Sequence, residues 1–242
     1  MIARPVFQAA LFFWHGICIE IYEYQSLKLY TMAKKFFNLI VLDKSGSMMS
    51  IRDAAIAGVN ETIGTIRRVK RETGCEQEIS ILPFCGCSTD YMLENAEVDS
   101  APVITTANYQ PCCSTPLLDA IGKGCTRLKK HIGDTKDYAV SVTIITDGYE
   151  NASTEWTYKS IKALIESLKA EGWLFAFIGA NIDVDKISKE MAIDNAMAFS
   201  ASVEGTKEMF DKECSSRMRW SRRMASAPDG VSCNELNEDY FG

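Results

Sequence analysis

The chain has 242 residues, with 26 Lys and Arg against 32 Asp and Glu and a formal charge of −6, which excludes a wholesale basic nucleic-acid coat. Hydrophobic residues make up 47% and charged residues 24%, with 6 Pro and 15 Gly, so the chain is neither disordered nor collagen-like and is long enough for a sizeable core. Nine Cys scattered through apolar runs do not read as a compact disulfide framework; they point to a reducing compartment, with the cytoplasm as the expected location.

Val6 to Ile19 form an apolar run after Arg4 with the outline of an export signal, but Gln8 and His15 interrupt it and no small-x-small cleavage site follows. It is short for a bilayer span. Met32-Ala33-Lys34-Lys35 reads as a fresh start, so residues 1–31 are expected to be an upstream-start artefact or a loose appendage. A docked extra element and a genuine signal are the other readings, and only the signal would involve a membrane. One folded domain is expected over residues 32–224.

Phe36 to Leu42 is apolar on both faces, as a strand buried between two helix layers requires. After the polar turn Asp43 to Met49, Ser50 as N-cap with Asp53 three residues on, and Ile56, Val59, Ile63 and Ile66 on one stripe, predict a helix ending near Gly74. Glu78 to Phe84 reads as a second strand, and Thr89 to Glu94 and Val103 to Thr106 are candidates for a short antiparallel edge strand. Thr115-Pro116 opens a helix, with Thr as cap and Pro at the first helical position; Leu118, Ile121, Cys125 and Leu128 then share a face. Ala139 to Thr146 is a β-branched strand, Tyr158 to Ala170 a helix, and Trp173 to Ile178 another buried strand. A short helix at Val184 to Met191, a strand near Met197 to Phe199 and a last helix from Val203 to about Arg222 follow. This alternation predicts an α/β fold, Rossmann-like and doubly wound, with a mostly parallel central sheet, one short antiparallel edge strand and helices on both faces. The run Arg217 to Arg223 reads as a solvated basic helix end, with RNA or an acidic partner as the other reading, and residues 225–242 read as a flexible tail.

In such sheets ligands bind beyond the carboxyl ends of the strands. Polar clusters lie there: Asp43-Lys44-Ser45-Gly46-Ser47, Ser114-Thr115-Pro116 and Thr146-Asp147-Gly148. Two carboxylates and three hydroxyls suit a hard divalent cation such as Mg²⁺, and no soft ligand is needed. The bland reading is that Ser, Asp and Gly merely make turns after strands. An aspartyl-phosphate phosphotransferase would need a second carboxylate where Ser45 stands, and a phosphate-binding loop would need more glycine than Gly46 supplies.

The three clusters, in order and each after its element, together with Pro116-Leu117-Leu118-Asp119-Ala120, resemble the von Willebrand factor A domain with its metal-ion-dependent adhesion site. The resemblance covers roughly residues 36–200. It implies that Ser45 and Ser47 bind Mg²⁺ directly, with Mn²⁺ as a possible substitute. Thr115 would bind directly or through water, and Asp43 and Asp147 would hold the ion mainly through water. An open coordination position implies a partner protein that donates Glu or Asp, with Lys44, Gly46, Met48 and Tyr149 bordering it. Thr146 to Ala152 and Gly172 to Asp183 look most like stand-alone bacterial members, often adaptors in stress-response or ATPase-chaperone systems, and not enzymes. A metal-dependent phosphoester hydrolase, or a module with a degenerate metal site that binds through Arg219, Arg222 and Arg223, are the alternatives.

The chain departs from the family pattern at Cys113, where glycine is usual. Cys112-Cys113 and Cys85-Gly86-Cys87 should approach the same rim. Four thiols there are candidates for a zinc site or a redox pair, against the plainer reading of free Cys as small buried hydrophobes. His131, beside Lys129 and Lys130 near a helix C-terminus, suits the helix dipole.

Overall fold

Strand β1 (Lys35–Asp43) is buried from its second residue onward, because successive side chains enter opposite helix layers. Phe37, Leu39 and Val41 pack on one side, and Ile40 and Leu42 on the other. A computed structural model of the chain describes residues 34–228 and 231–242; the expectations for residues 1–31 lie outside them.

The remaining elements are helix α1 (Arg52–Thr73), strands β2 (Gln77–Phe84) and β3 (Leu93–Glu97), and helix α2 (Leu117–Ile132). Strand β4 (Tyr138–Thr146), helix α3 (Tyr158–Ala170), strand β5 (Leu174–Gly179) and helix α4 (Val184–Glu190) follow. Strand β6 (Asn195–Ala198) and helices α5 (Val203–Ser226) and α6 (Cys233–Asn237) complete the described chain. The six strands run in the order β3-β2-β1-β4-β5-β6, parallel throughout except β3, which pairs antiparallel with β2 as the edge strand. Helices α2, α3 and α4 line one face, and α1 and α5 the other. The strand order reverses between β1 and β4, which is where a sheet of this kind opens a crevice for a ligand. Among the described residues, no helix is long and apolar enough to cross a membrane.

Two helix starts differ from the sequence expectation. Ser50 does not cap α1: a 3₁₀ turn (Gly46–Ile51) precedes the helix, and the Ser50 hydroxyl donates to the Ser47 carbonyl instead. Thr115 does not cap α2, and Pro116 stands at the cap position and not at the first helical residue.

Arg217, expected at a solvated helix end, is fully buried under the sheet. Its guanidinium donates to Glu213, Asn38, Ser141 and Thr143 at 2.7 to 2.9 Å, so a neutral-plus-ionic network takes up its charge. Arg219 and Arg223 donate to the carbonyls of Tyr240 and Leu236, and Arg222 pairs with Glu72. The expected flexible tail is also corrected, because residues 231–242 pack back onto the domain. Tyr240 is fully buried and its hydroxyl donates to Glu213, while Asn237 accepts from Trp220 Nε1 and donates to the Gly172 carbonyl. The polar composition of this segment is used for internal hydrogen bonds.

Candidate metal centre

Asp43 ends β1 and Thr146 ends β4, so the two sit side by side at the switch point. Asp43 is fully buried. One carboxylate oxygen accepts from the Ser45 amide and the other from the Thr146 hydroxyl, both at 2.6 Å. These contacts aim the turn after β1 so that Ser45 Oγ lies 3.1 Å from Ser47 Oγ. Ser47 Oγ in turn donates to Asp147 Oδ1 at 2.5 Å. The third cluster arrives at the same point: a β-carbon at Gly148 would stand 3.4 Å from Thr115 Oγ1 and 3.6 Å from Ser47 Oγ. The five expected ligand positions therefore converge.

The electrostatics of the cluster are one-sided. Burial raises the Asp43 carboxyl from its ordinary 3.8 to about 6, against the lowering effect of the Thr146 and Ser45 hydrogen bonds, and the Asp147 charge adds to the rise. Burial likewise raises Asp147, with the Ser47 hydrogen bond opposing it. Among the described residues neither carboxylate has a Lys, Arg or His partner. Two carboxylates held in low dielectric without a cation, beside hydroxyls with spare lone pairs, fit a hard divalent ion in oxygen coordination. The donor set offers nothing to a soft metal.

Several residues besides the five expected ligands hold this arrangement. The buried Tyr109 hydroxyl donates to the Asp43 carbonyl at 2.5 Å. Asn151 brackets Thr115, its side chain accepting from the Thr115 amide at 2.8 Å and its own amide donating to the Thr115 carbonyl at 3.2 Å. Glu150 accepts from the Leu118 amide and Ser153 from the Asp119 amide, so the loop after β4 supplies the cap that α2 lacks locally. Asp119 returns the contact by accepting from the amides of Thr154, Glu155 and Trp156. The signal for Asp119 and Asn151 was their place within the family-like segments; Tyr109 had none.

At the rim, Gly46 and Ser47 are exposed and Lys44 is half-buried. Tyr149 is 54% exposed and its hydroxyl accepts from the Asp183 amide. Met48, expected to border a partner, is fully buried in the α1-side core, because the 3₁₀ turn directs it inward; Met49 is the exposed neighbour, at 50%.

The four rim cysteines are brought together. Cys87 and Cys113 form a disulfide, and Cys85 Sγ lies 3.4 Å from Cys112 Sγ. The plainer reading of them as free, buried hydrophobes holds for Cys85 alone: Cys112 is free but half-buried, and Cys87 and Cys113 are exposed and bonded to each other. His131 lies away from this rim, with Nε2 2.7 Å from Glu78 at the opening end of β2.

No family model matches the sequence, and no curated protein gives a significant match. Solved structures do match. The pilus adhesin SpaC from Lactobacillus rhamnosus GG, in its open conformation, aligns at a TM-score of 0.59 and 13% identity over 78% of this chain and 30% of its own. The VWA domain of SpRpn10 aligns at 0.52 and 9% identity over 74% of this chain and 95% of its own. Proximal thread matrix protein 1 from the mussel byssus, with a zinc-occupied MIDAS motif, aligns at 0.50 and 11% identity over 74% and 44%. This chain therefore spans under half of the adhesin and of the thread matrix protein, and nearly all of the SpRpn10 domain. The fold is that of a von Willebrand factor A domain, as the three polar clusters led one to expect.

Proposed function

We propose that the protein is an interaction module, cytoplasmic and not enzymatic. It would bind Mg²⁺, or Mn²⁺ in its place, at Asp43, Ser45, Ser47, Thr115 and Asp147, and through the ion capture a Glu or Asp side chain of a partner protein. The observation that carries this reading is the convergence of two buried, unpaired carboxylates and three hydroxyls at the switch point of the sheet. A divalent cation held there supplies a Lewis-acidic position able to accept a carboxylate oxygen. The chain's own residues do the rest: Thr146 and the Ser45 amide orient Asp43, Asn151 positions Thr115, and the exposed Ser47, Met49 and Tyr149 leave the rim open to a side chain arriving from solvent. An adaptor role, in the manner of bacterial stress or ATPase-chaperone systems, is the setting such a module suits.

A phosphoester hydrolase would need a general base beside the metal. Glu150 is engaged by the amides of Leu118, Ala152 and Ser153 and by the Ser153 hydroxyl, and His131 is at the other end of the sheet, which favours the binding reading. Binding through the C-terminal arginines is also disfavoured, since each has an internal partner. The test is capture of partner proteins from a lysate with Mg²⁺ or with chelator, using the wild type and Asp43→Asn. Proteins retained only by the wild type with Mg²⁺, and eluted by free acetate or glutamate, are expected; an identical set under all conditions would contradict the proposal.

A further inference from the structure

The rim of the metal centre carries a second constellation of opposite chemistry. Cys85-Gly86-Cys87-Ser88 forms a tight hairpin after β2, with the Cys85 and Ser88 backbones bonded to each other in both directions. Cys112 and Cys113 belong to the loop that delivers Thr115. The backbone fixes these two loops against each other: the Gly86 amide donates to the Ser114 carbonyl at 2.8 Å, Cys112 to Lys44 at 2.8 Å, and Gly46 to Cys113 at 3.0 Å. The approach is close: a β-carbon at Gly86 would lie 2.1 Å from Ser114 Oγ, which would have to turn aside, and 3.3 Å from the Ser114 amide nitrogen. The Sγ atoms of Cys87, Cys112 and Cys113 all fall within 4.8 Å of one another, and Cys85 Sγ touches that of Cys112 at 3.4 Å.

We infer that, when the Cys87–Cys113 disulfide is reduced, Cys85, Cys87, Cys112 and Cys113 form a tetrathiolate site for a thiophilic divalent cation of the zinc class. A tetrahedral zinc–thiolate site with bonds of about 2.3 Å has sulfur–sulfur edges of about 3.8 Å, against 3.4 Å between Cys85 and Cys112 here and at most 4.8 Å among Cys87, Cys112 and Cys113. Cys85 is the one of the four outside that group of three, and its sulfur contact here is with Cys112. Reduction takes two electrons and two protons from a dithiol reductant, which becomes a disulfide as Cys87 and Cys113 become thiols. Binding of one Zn²⁺ then releases four protons and leaves a site of net charge −2, with the half-buried Lys44 on the adjoining backbone. The oxidised and metal-bound forms exclude each other, because both use Cys87 and Cys113. Soft sulfur and hard oxygen donors keep this site separate from the one built on Asp43.

The experiment uses the full chain, reduced under nitrogen and titrated with Co²⁺ and then Zn²⁺. The reduced protein is expected to show thiolate-to-cobalt charge-transfer absorption with tetrahedral ligand-field bands, saturating at one equivalent and bleached by zinc. Asp43→Asn should leave the signal unchanged, whereas Cys87→Ser/Cys113→Ser and the oxidised wild type should lack it. In parallel, Zn²⁺ should slow alkylation of all four cysteines in the reduced wild type by about tenfold or more, a readout that does not depend on the variant folding. Absence of thiolate-to-cobalt absorption in the reduced wild type, its loss in Asp43→Asn, or alkylation indifferent to zinc would each overturn the assignment.

Discussion

Two polar clusters are buried on the same central strands and are built on opposite rules. Midway along β1 and β4, Asn38, Ser141 and Thr143 meet Arg217, whose charge is matched by Glu213, so that this cluster is closed on itself. At the carboxyl ends of the same strands, Asp43 and Asp147 meet hydroxyls and amides and, among the described residues, no cation. A buried ion pair with all its hydrogen bonds made offsets its own desolvation. A buried pair of carboxylates without a counter-charge does not, and their raised proton affinities register the deficit. The closed cluster fastens α5 and the C-terminal segment to the sheet, and the open one is the proposed cation site.

The contrast is broken most severely by opening the closed cluster. Arg217→Ala or Glu213→Ala leaves one buried charge without its partner and should cost about 3 to 5 kcal/mol in urea denaturation. Arg217→Met combined with Glu213→Leu removes both charges and should recover most of that loss. If each single variant cost under about 1 kcal/mol, the claim of a matched buried pair would be wrong.

A pH titration of stability sharpens the other half. With a folded value of about 6 against an ordinary 3.8, the metal-free protein binds more protons than the unfolded chain between these limits. The resulting stability is therefore fully present below pH 3.8 and lost as pH rises through about 6, a change on the order of 3 kcal/mol. Saturating Mg²⁺ should abolish or reverse that slope, since the ion and the proton compete for Asp43. Urea midpoints from pH 4 to 7, with and without Mg²⁺, measure both; identical curves would show that no cation meets this carboxylate.

Smaller effects separate the parts that hold each cluster. Asn151→Ala frees Thr115 without removing a ligand and should weaken Mg²⁺ binding roughly tenfold in calorimetry while leaving the urea midpoint nearly unchanged. Tyr240→Phe deletes the 3.3 Å hydrogen bond to Glu213 and should cost about 1 kcal/mol. An unchanged unfolding curve would mean that the C-terminal segment does not contribute to the closed cluster.

The open cluster was far more legible in the sequence than the closed one. Asp43, Ser45 and Ser47 lie within one turn, and Thr115 and Asp147 each adjoin an element whose periodicity is plain, so local pattern and strand order suffice to bring them together. Arg217 looked like part of a surface patch because three more arginines lie within the next six residues. Only the packing of α5 across Asn38 and Ser141 turns it inward. Helix starts failed for a similar reason: Glu150 and Ser153 cap α2 from more than thirty residues away, so Thr115 is free to serve as a ligand. Met48 is buried because a 3₁₀ turn intervenes where a helix start was expected. The docking of residues 231–242 depends on side-chain amides that composition alone assigns to solvent.

The most direct test of the central claim is isothermal titration of Mg²⁺ into the full chain at pH 7, beside Asp43→Asn. One equivalent should bind to the wild type, more tightly when acetate is present to supply a carboxylate, and the asparagine variant should bind at least about a hundredfold more weakly while unfolding at a urea concentration no lower than that of the metal-free wild type. Equal binding by both proteins, or none by a folded wild type with acetate present, would contradict the account of the open cluster as a cation site.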